Sequence, residues 1–160
     1  MNNKEQDNYS NATLDLIKKF VDSNQRRRLN LLTQIESEVE NIFKLGPTLF
    51  EIFDRNGDDW PAGWLLQVLK KYKPNFFEDN RFNNWFNTYT EVDINYDKLQ
   101  LTLMEQEFEE ADRLTSSYLR RLAGKLAEKR GYVFYSEVEN MSGKDLQTID
   151  RLWNIYSTGR

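Results

Sequence analysis

The chain has 160 residues, of which 30% are charged and 14% aromatic, with a formal net charge of -4. That length buries one sizeable core or two small ones, and the composition is that of a globular and not a disordered chain. Neither Cys nor His occurs, which excludes a disulfide framework, a thiolate nucleophile, an imidazole base and a Cys/His zinc site. Any protein metal ligand would have to be an oxygen, and no pocket suited to fixing a haem iron is evident, so redox catalysis is disfavoured. The interleaved charge signs argue against nucleic-acid binding through a general basic field. The N-terminus, residues 1–7, is polar with no apolar h-region, and no apolar run approaches a membrane span, which suggests a soluble, intracellular protein.

Helical periodicity dominates the first half. Leu14, Ile17 and Val21 share one face of a first helix. Leu32, Ile35, Val39 and Ile42 form the stripe of a second. Arg26-Arg27-Arg28 opens that helix and reads as a solvated helix end, with a docking patch for an anion as the alternative. Gly46-Pro47 separates it from a third, with Leu49, Ile52 and Phe53 inward. Asp54 to Asp59 imitates the start of a calcium loop, but the sixth and twelfth positions are Asp59 and Leu65 where Gly and Glu are required, so a turn and helix cap is the better reading. Trp60-Pro61 begins a fourth helix bearing Trp64, Leu65, Val68, Leu69 and Tyr72; Phe82, Trp85, Phe86 and Tyr89 mark a fifth. The pattern is that of an N-terminal helical bundle over residues 1–92.

Residues 90–95 make a plausible boundary. Beyond them Tyr96, Leu99 and Leu103 predict a short helix, and Phe108, Ala111, Thr115, Tyr118 and Leu122 a longer one closed by Gly124. Residues 125–131 read as a Lys/Arg-containing loop and Tyr132 to Tyr135 as a brief extended piece. Ser142 to Asp145 has capping-box spacing ahead of a last helix with Leu146, Ile149, Trp153 and Tyr156 on one face.

Glu105 and Glu109 could pair on magnesium if one helix runs through both; acids at a solvated helix N-terminus are the simpler explanation. No phosphate loop or nucleophile elbow accompanies them. The aromatics are the better lead. In an extended piece Val133 and Tyr135 point one way and Tyr132 and Phe134 the other, with Val138 and Met141 downstream and Lys125, Lys129 and Arg130 upstream. An apolar groove with a cationic rim suits a planar apolar ligand carrying carboxylates; core packing suits these residues equally.

Several stretches resemble the core of the Genomes Uncoupled Four family: Tyr96 to Leu99, Phe108 to Asp112, Leu122 to Gly124, Ser136 to Glu139, Asp145 to Trp153 and Tyr156 to Gly159. The resemblance covers roughly residues 94–160, and its anchors fall in order with compatible spacing. It implies a mainly α fold, with a porphyrin-binding core over residues 93–160 that is partial, because family members continue past the end of this sequence with further helices and a second loop. An apolar stripe on the last helix would then lack cover, and would predict self-association or partner binding.

The resemblance further implies a non-catalytic regulator of chlorophyll biosynthesis that binds protoporphyrin IX or magnesium-protoporphyrin IX, with no required cofactor and no metal cage. Its partner would be the large porphyrin-binding subunit of magnesium chelatase. Its setting would be a cyanobacterial cytoplasm or a plastid stroma, with peripheral membrane contact compatible and the oligomeric state left open. Carried onto this sequence, Tyr135 matches an aromatic lining the ligand cleft and Val138 an aliphatic wall. The 125–131 loop matches one of two loops bounding that cleft, and Ser116 falls where some members place an Arg. The expected porphyrin-binding set is Val133, Tyr135, Val138, Lys125 and Arg130. The alternative is a helical interaction or sensory module that binds no porphyrin.

Overall fold

The computed structural model describes residues 3–45, 48–57, 59–72, 74–75 and 85–157, and these residues are all-α with no strand among them. The helices are α1 (Asn3–Asp22), α2 (Gln25–Ser37), α3 (Val39–Leu45), α4 (Leu49–Ile52), α5 (Trp60–Tyr72), α6 (Asp97–Met104), α7 (Phe108–Ala123), α8 (Lys125–Arg130) and α9 (Gly143–Ser157). One continuous apolar core runs from Ile17 and Phe20 of α1 through Leu65, Leu66 and Leu69 of α5 to Ile149, Leu152 and Ile155 of α9.

Helix ends account for much of the polar structure in the first half. The Asn24 side chain caps α2 by accepting the Arg27 N–H at 3.0 Å. The arginine triplet does not act as a unit. Arg26 and Arg27 are exposed, whereas Arg28 is buried. Its Nε donates to the Phe20 carbonyl at 2.8 Å and its Nη2 to the Val21 carbonyl at 2.6 Å, and its guanidinium lies 4.4 Å from the Trp60 ring centroid. The last carbonyls of a helix lack intrahelical partners, and Arg28 satisfies two of those of α1. The stripe from Leu32 to Ile42 is interrupted at Glu38, whose N–H is shared between the Gln34 and Ile35 carbonyls, both at 3.1 Å. That tightening divides one expected helix into α2 and α3.

The calcium-like stretch is a turn and a cap. Asp54 accepts the N–H groups of Asn56 and Gly57 at 3.3 and 3.1 Å, an Asx turn. Asp59 accepts the Ala62 N–H at 3.2 Å and the Asp54 N–H at 3.0 Å, capping α5. Gly46, Pro47, Asp58 and Phe82 lie outside the described residues. Residues 85–90 are non-helical and not the expected fifth helix. Their backbone bonds outside the segment: Gln100 of α6 accepts the Phe86 N–H at 3.0 Å and donates to the Phe86 carbonyl at 2.9 Å, and the Arg55 carbonyl accepts the Asn87 N–H at 2.9 Å.

Helices α5 and α9 pack closely at Gly63. A Cβ built on Gly63 would fall 2.3 Å from the Ile155 carbonyl oxygen and 2.6 Å from Ile155 Cγ2. One turn further along, buried Gln67 donates to the carbonyls of Leu103 at 3.2 Å and Tyr156 at 2.8 Å, closing the C-terminal ends of α6 and α9 together. The last helix is therefore covered, contrary to the expected bare stripe. Tyr156 is buried edge-on against Phe86, with ring centroids 5.9 Å apart, and Trp153 stacks on Phe108 at 6.3 Å while its Nε1 donates to Thr115 at 2.9 Å. The cover comes from α5, α6 and α7, which sequence periodicity does not place.

Two outcomes follow from this packing. Gly63→Ala gains helix propensity of up to about 1 kcal/mol but must push α9 away, so a net loss of about 1–3 kcal/mol is expected in urea denaturation. Among the described residues the buried Tyr156 hydroxyl has no hydrogen-bond partner, and burial pushes its ionisation up. Tyr156→Phe removes that desolvated group and should leave stability unchanged or raise it by about 1 kcal/mol, read from the same melts.

Candidate functional site

Two polar clusters could host function, one buried and one exposed. The buried one centres on Asp145, at 0% relative exposure. Its carboxylate accepts from the Thr90 hydroxyl at 2.6 Å, the Glu91 N–H at 2.8 Å and the Tyr96 hydroxyl at 2.8 Å. Burial pushes this carboxyl up, but the hydrogen bonds from Thr90, Glu91 and Tyr96 outweigh it and hold the group below its ordinary range. Tyr96 is correspondingly pushed up, by burial first and by Asp145 second.

The same face of α9 continues this pattern. Thr148 donates to the Tyr89 carbonyl at 2.7 Å; Arg151 donates to the carbonyls of Arg55 and Gly57, both at 3.1 Å, and to that of Asn87. Asp145, Thr148 and Arg151, three residues apart, thus hold the non-helical segment 85–91 against the turn at 54–57. The partners of Asp145 come from three other points of the chain, so this cluster ties distant segments together. Ser142 caps α9 through the Asp145 N–H at 3.3 Å. The reciprocal half of the capping box is absent because the Asp145 carboxylate is bound elsewhere.

The acidic pair does not assemble. The chain turns between α6 and α7, with Gln106 at a φ of 65°, so Glu105 and Glu109 sit on different elements. Glu105 instead pairs with Lys70 at 3.4 Å. Among the described residues no three Asp or Glu side chains gather as a metal site.

The exposed cluster lies between α7 and α9. Residues 125–130 form a helix, α8, where a loop was expected, because Gly131 in the left-handed region (φ 92°) provides a C-terminal stop for it. Tyr132 to Phe134 connects it to a 3-10 helix over Tyr135–Asn140 that packs on α7, so Tyr135 begins a turn and does not continue a strand. Glu137 Oε1 accepts the Phe134 N–H at 2.8 Å and meets Arg130 Nη2, which also donates to the Tyr132 carbonyl at 3.0 Å. The Arg130 guanidinium stands 3.6 Å from the Phe134 ring centroid and 4.8 Å from that of Tyr132; the two rings meet edge to face at 5.5 Å. The Phe134 N–H, and then Arg130, hold the Glu137 carboxyl below its ordinary range.

Around this brace the apolar surface faces solvent. Tyr135 is 91% exposed and Leu126 73%; Tyr132, Phe134 and Val138 are also exposed, and Val133 is half-buried. Lys125 and Lys129 are exposed, and Ser116 is half-buried on α7. Tyr132 and Phe134 do share one side, but neither that pair nor Tyr135 joins the core. Arg130 is not a free rim cation, being engaged by Glu137. Glu137 itself stands in the sequence only as part of the 136–139 motif. The clue to its role is an acid three residues after the start of a turn, returning to that turn's amide.

Fold and site thus define an all-α domain that presents one braced aromatic turn to solvent, and no helix among the described residues is long and apolar enough to cross a membrane. Residues 89–160 match the GUN4-like family model, and the chain carries a GUN4-like domain over that region. Homologous proteins include the chloroplastic tetrapyrrole-binding protein of Arabidopsis thaliana, 48% identical over 65 residues, which is 41% of this chain and 24% of that one. The Ycf53-like protein of Synechocystis sp. is 42% identical over 66 residues, 41% of this chain and 28% of that one. The alignment thus spans about a quarter of the length of these curated relatives. The ycf53 protein of Cyanidium caldarium is 24% identical over 148 residues, 89% of this chain and 56% of its own, a likeness that runs beyond the GUN4-like segment.

The Asp145 cluster yields a pH prediction. A carboxyl whose folded pKa is depressed contributes stability above its unfolded pKa of about 3.9, and that contribution is lost as pH falls through the folded value. Thermal melts should therefore show stability declining below about pH 4, and Asp145→Asn, which sets an amide against three donors, should cost about 3 kcal/mol at neutral pH and flatten the acid limb.

Proposed function

We propose that the chain is a tetrapyrrole-binding regulator and not a catalyst, and that its ligand rests on the exposed aromatic turn. The observation that carries this reading is the concentration of exposed large apolar side chains, from Leu126 to Val138, within a segment of the GUN4-like domain. Solvent-facing Tyr, Phe, Leu and Val side chains at a fixed turn are unfavourable alone and suit a flat apolar macrocycle. The name of the Arabidopsis relative supports the same ligand class.

In this reading Tyr135, Val138 and Val133 contact the face of protoporphyrin IX or magnesium-protoporphyrin IX, and cations of the 125–130 region lie near its carboxylates. Residues 93–160 carry the ligand surface, while residues 1–92 support it through α5. The partner is the large porphyrin-binding subunit of magnesium chelatase, in a plastid stroma or a cyanobacterial cytoplasm. A second reading, a helical interaction module without porphyrin, is favoured by the openness of the same surface, because an exposed aromatic turn also suits a protein partner.

The test is a titration with both porphyrins, following Trp fluorescence and the Soret band. Saturable quenching with a Soret shift is expected, weakened about 5- to 30-fold by Tyr135→Ala and by Val138→Asp with helicity intact. A folded protein that gives no response, yet binds the chelatase subunit, would replace this reading with the second.

A further inference from the structure

The cations beside the aromatic turn have different surroundings. Arg130 is largely enclosed, with its side chain 22% exposed; Nη2 is shared by Glu137 and the Tyr132 carbonyl, its Nε is buried without a hydrogen-bond acceptor, and its plane covers Phe134. A guanidinium so placed fixes two rings and a turn, and an incoming carboxylate would have to displace Glu137 to reach Nη2. Lys125 and Lys129 are exposed, and among the described residues neither meets a carboxylate; Glu128, between them in sequence, pairs with neither. Four residues apart on α8, they share one face, and two ammonium groups at that spacing match a ligand with two carboxylates on one edge.

Resting on the tetrapyrrole reading above, we infer that the cations of α8 divide their roles: Arg130, locked by Glu137, is a positioning residue for the aromatic turn, and Lys125 with Lys129 receives the ligand's carboxylates. The brace lowers the cost of ordering Tyr132, Phe134 and the adjoining Tyr135 on binding, so it acts on affinity for the macrocycle whatever its charge. The lysine pair acts only on a ligand that is an anion.

The experiment compares protoporphyrin IX with its dimethyl ester, which has the same ring but no carboxylates, in the same detergent. Lys125→Gln/Lys129→Gln should weaken the free acid about three- to tenfold and leave the ester unchanged. Arg130→Gln and Glu137→Gln should each weaken both ligands by about the same factor, near fivefold, leaving their ratio as in the wild type. Glu137→Gln keeps an acceptor for the Phe134 N–H and so separates loss of the ion pair from loss of the turn. A selective loss of the free acid in Arg130→Gln would overturn the division, as would an unaltered ratio in the double lysine variant. Without ligand, Arg130→Gln should shift the ring resonances of Tyr132 and Phe134 while the lysine changes do not; unmoved resonances would remove the brace. A wild type that binds neither porphyrin would remove the functional reading and the lysine assignment with it, whereas the ring resonances still decide the brace.

Discussion

The polar edge of α9 is the constraint on which the rest of the structure depends. Asp145, Thr148 and Arg151 each place a buried or half-buried polar group against the segment at 85–91, which supplies a backbone partner to each. Buried hydrogen-bonding groups are costly when unpaired, so this match fixes both the helix and the strap. Once the strap is held, Trp85 and Phe86 are directed into the core, Gln100 bonds to Phe86, and Arg55 is drawn in through the Trp85 carbonyl at 3.1 Å. The close contact of Gly63 with Ile155, one turn beyond Arg151, then brings α5 onto the same helix. The anchors between Asp145 and Trp153 that carry the family likeness thus include the clasp itself. They explain the fold more than the ligand.

Helix positions were legible where apolar spacing was strong. The stripes on α1, α6, α7 and α9, the stop at Gly124 and the Ser142 cap all follow from local pattern. What was not legible depends on distant partners. Residues 85–90 have aromatic content that imitates a helical face, yet their backbone is claimed by Gln100, Thr148 and Arg151. Arg28 reads as a solvated charge until the end of α1 is placed beside it. Segment 125–130 reads as a loop because its charges mask a single helical turn and a half. The cover on α9 required α5, which no periodicity assigns to it.

At the candidate site, the sequence offered the residue types but not their division. The aromatic–cationic run is visible along residues 125–138, yet local reading cannot tell a cation that faces solvent from one beneath two rings. The rigid frame and the exposed turn are complementary. A turn that presents Tyr135 to water needs α7 behind it and a brace within it, and the GUN4-like domain supplies both. Exposure on a fixed support is what lets a surface bind a planar ligand with little ordering cost.

The most direct test of the central claim is amide hydrogen exchange on the whole chain with and without saturating protoporphyrin IX. If the ligand rests on the aromatic turn, added protection will be concentrated in residues 125–140, with the already protected clasp around Asp145 unchanged. Saturable binding that protects the helices α1 and α2 instead, and leaves residues 125–140 as they were, would contradict it.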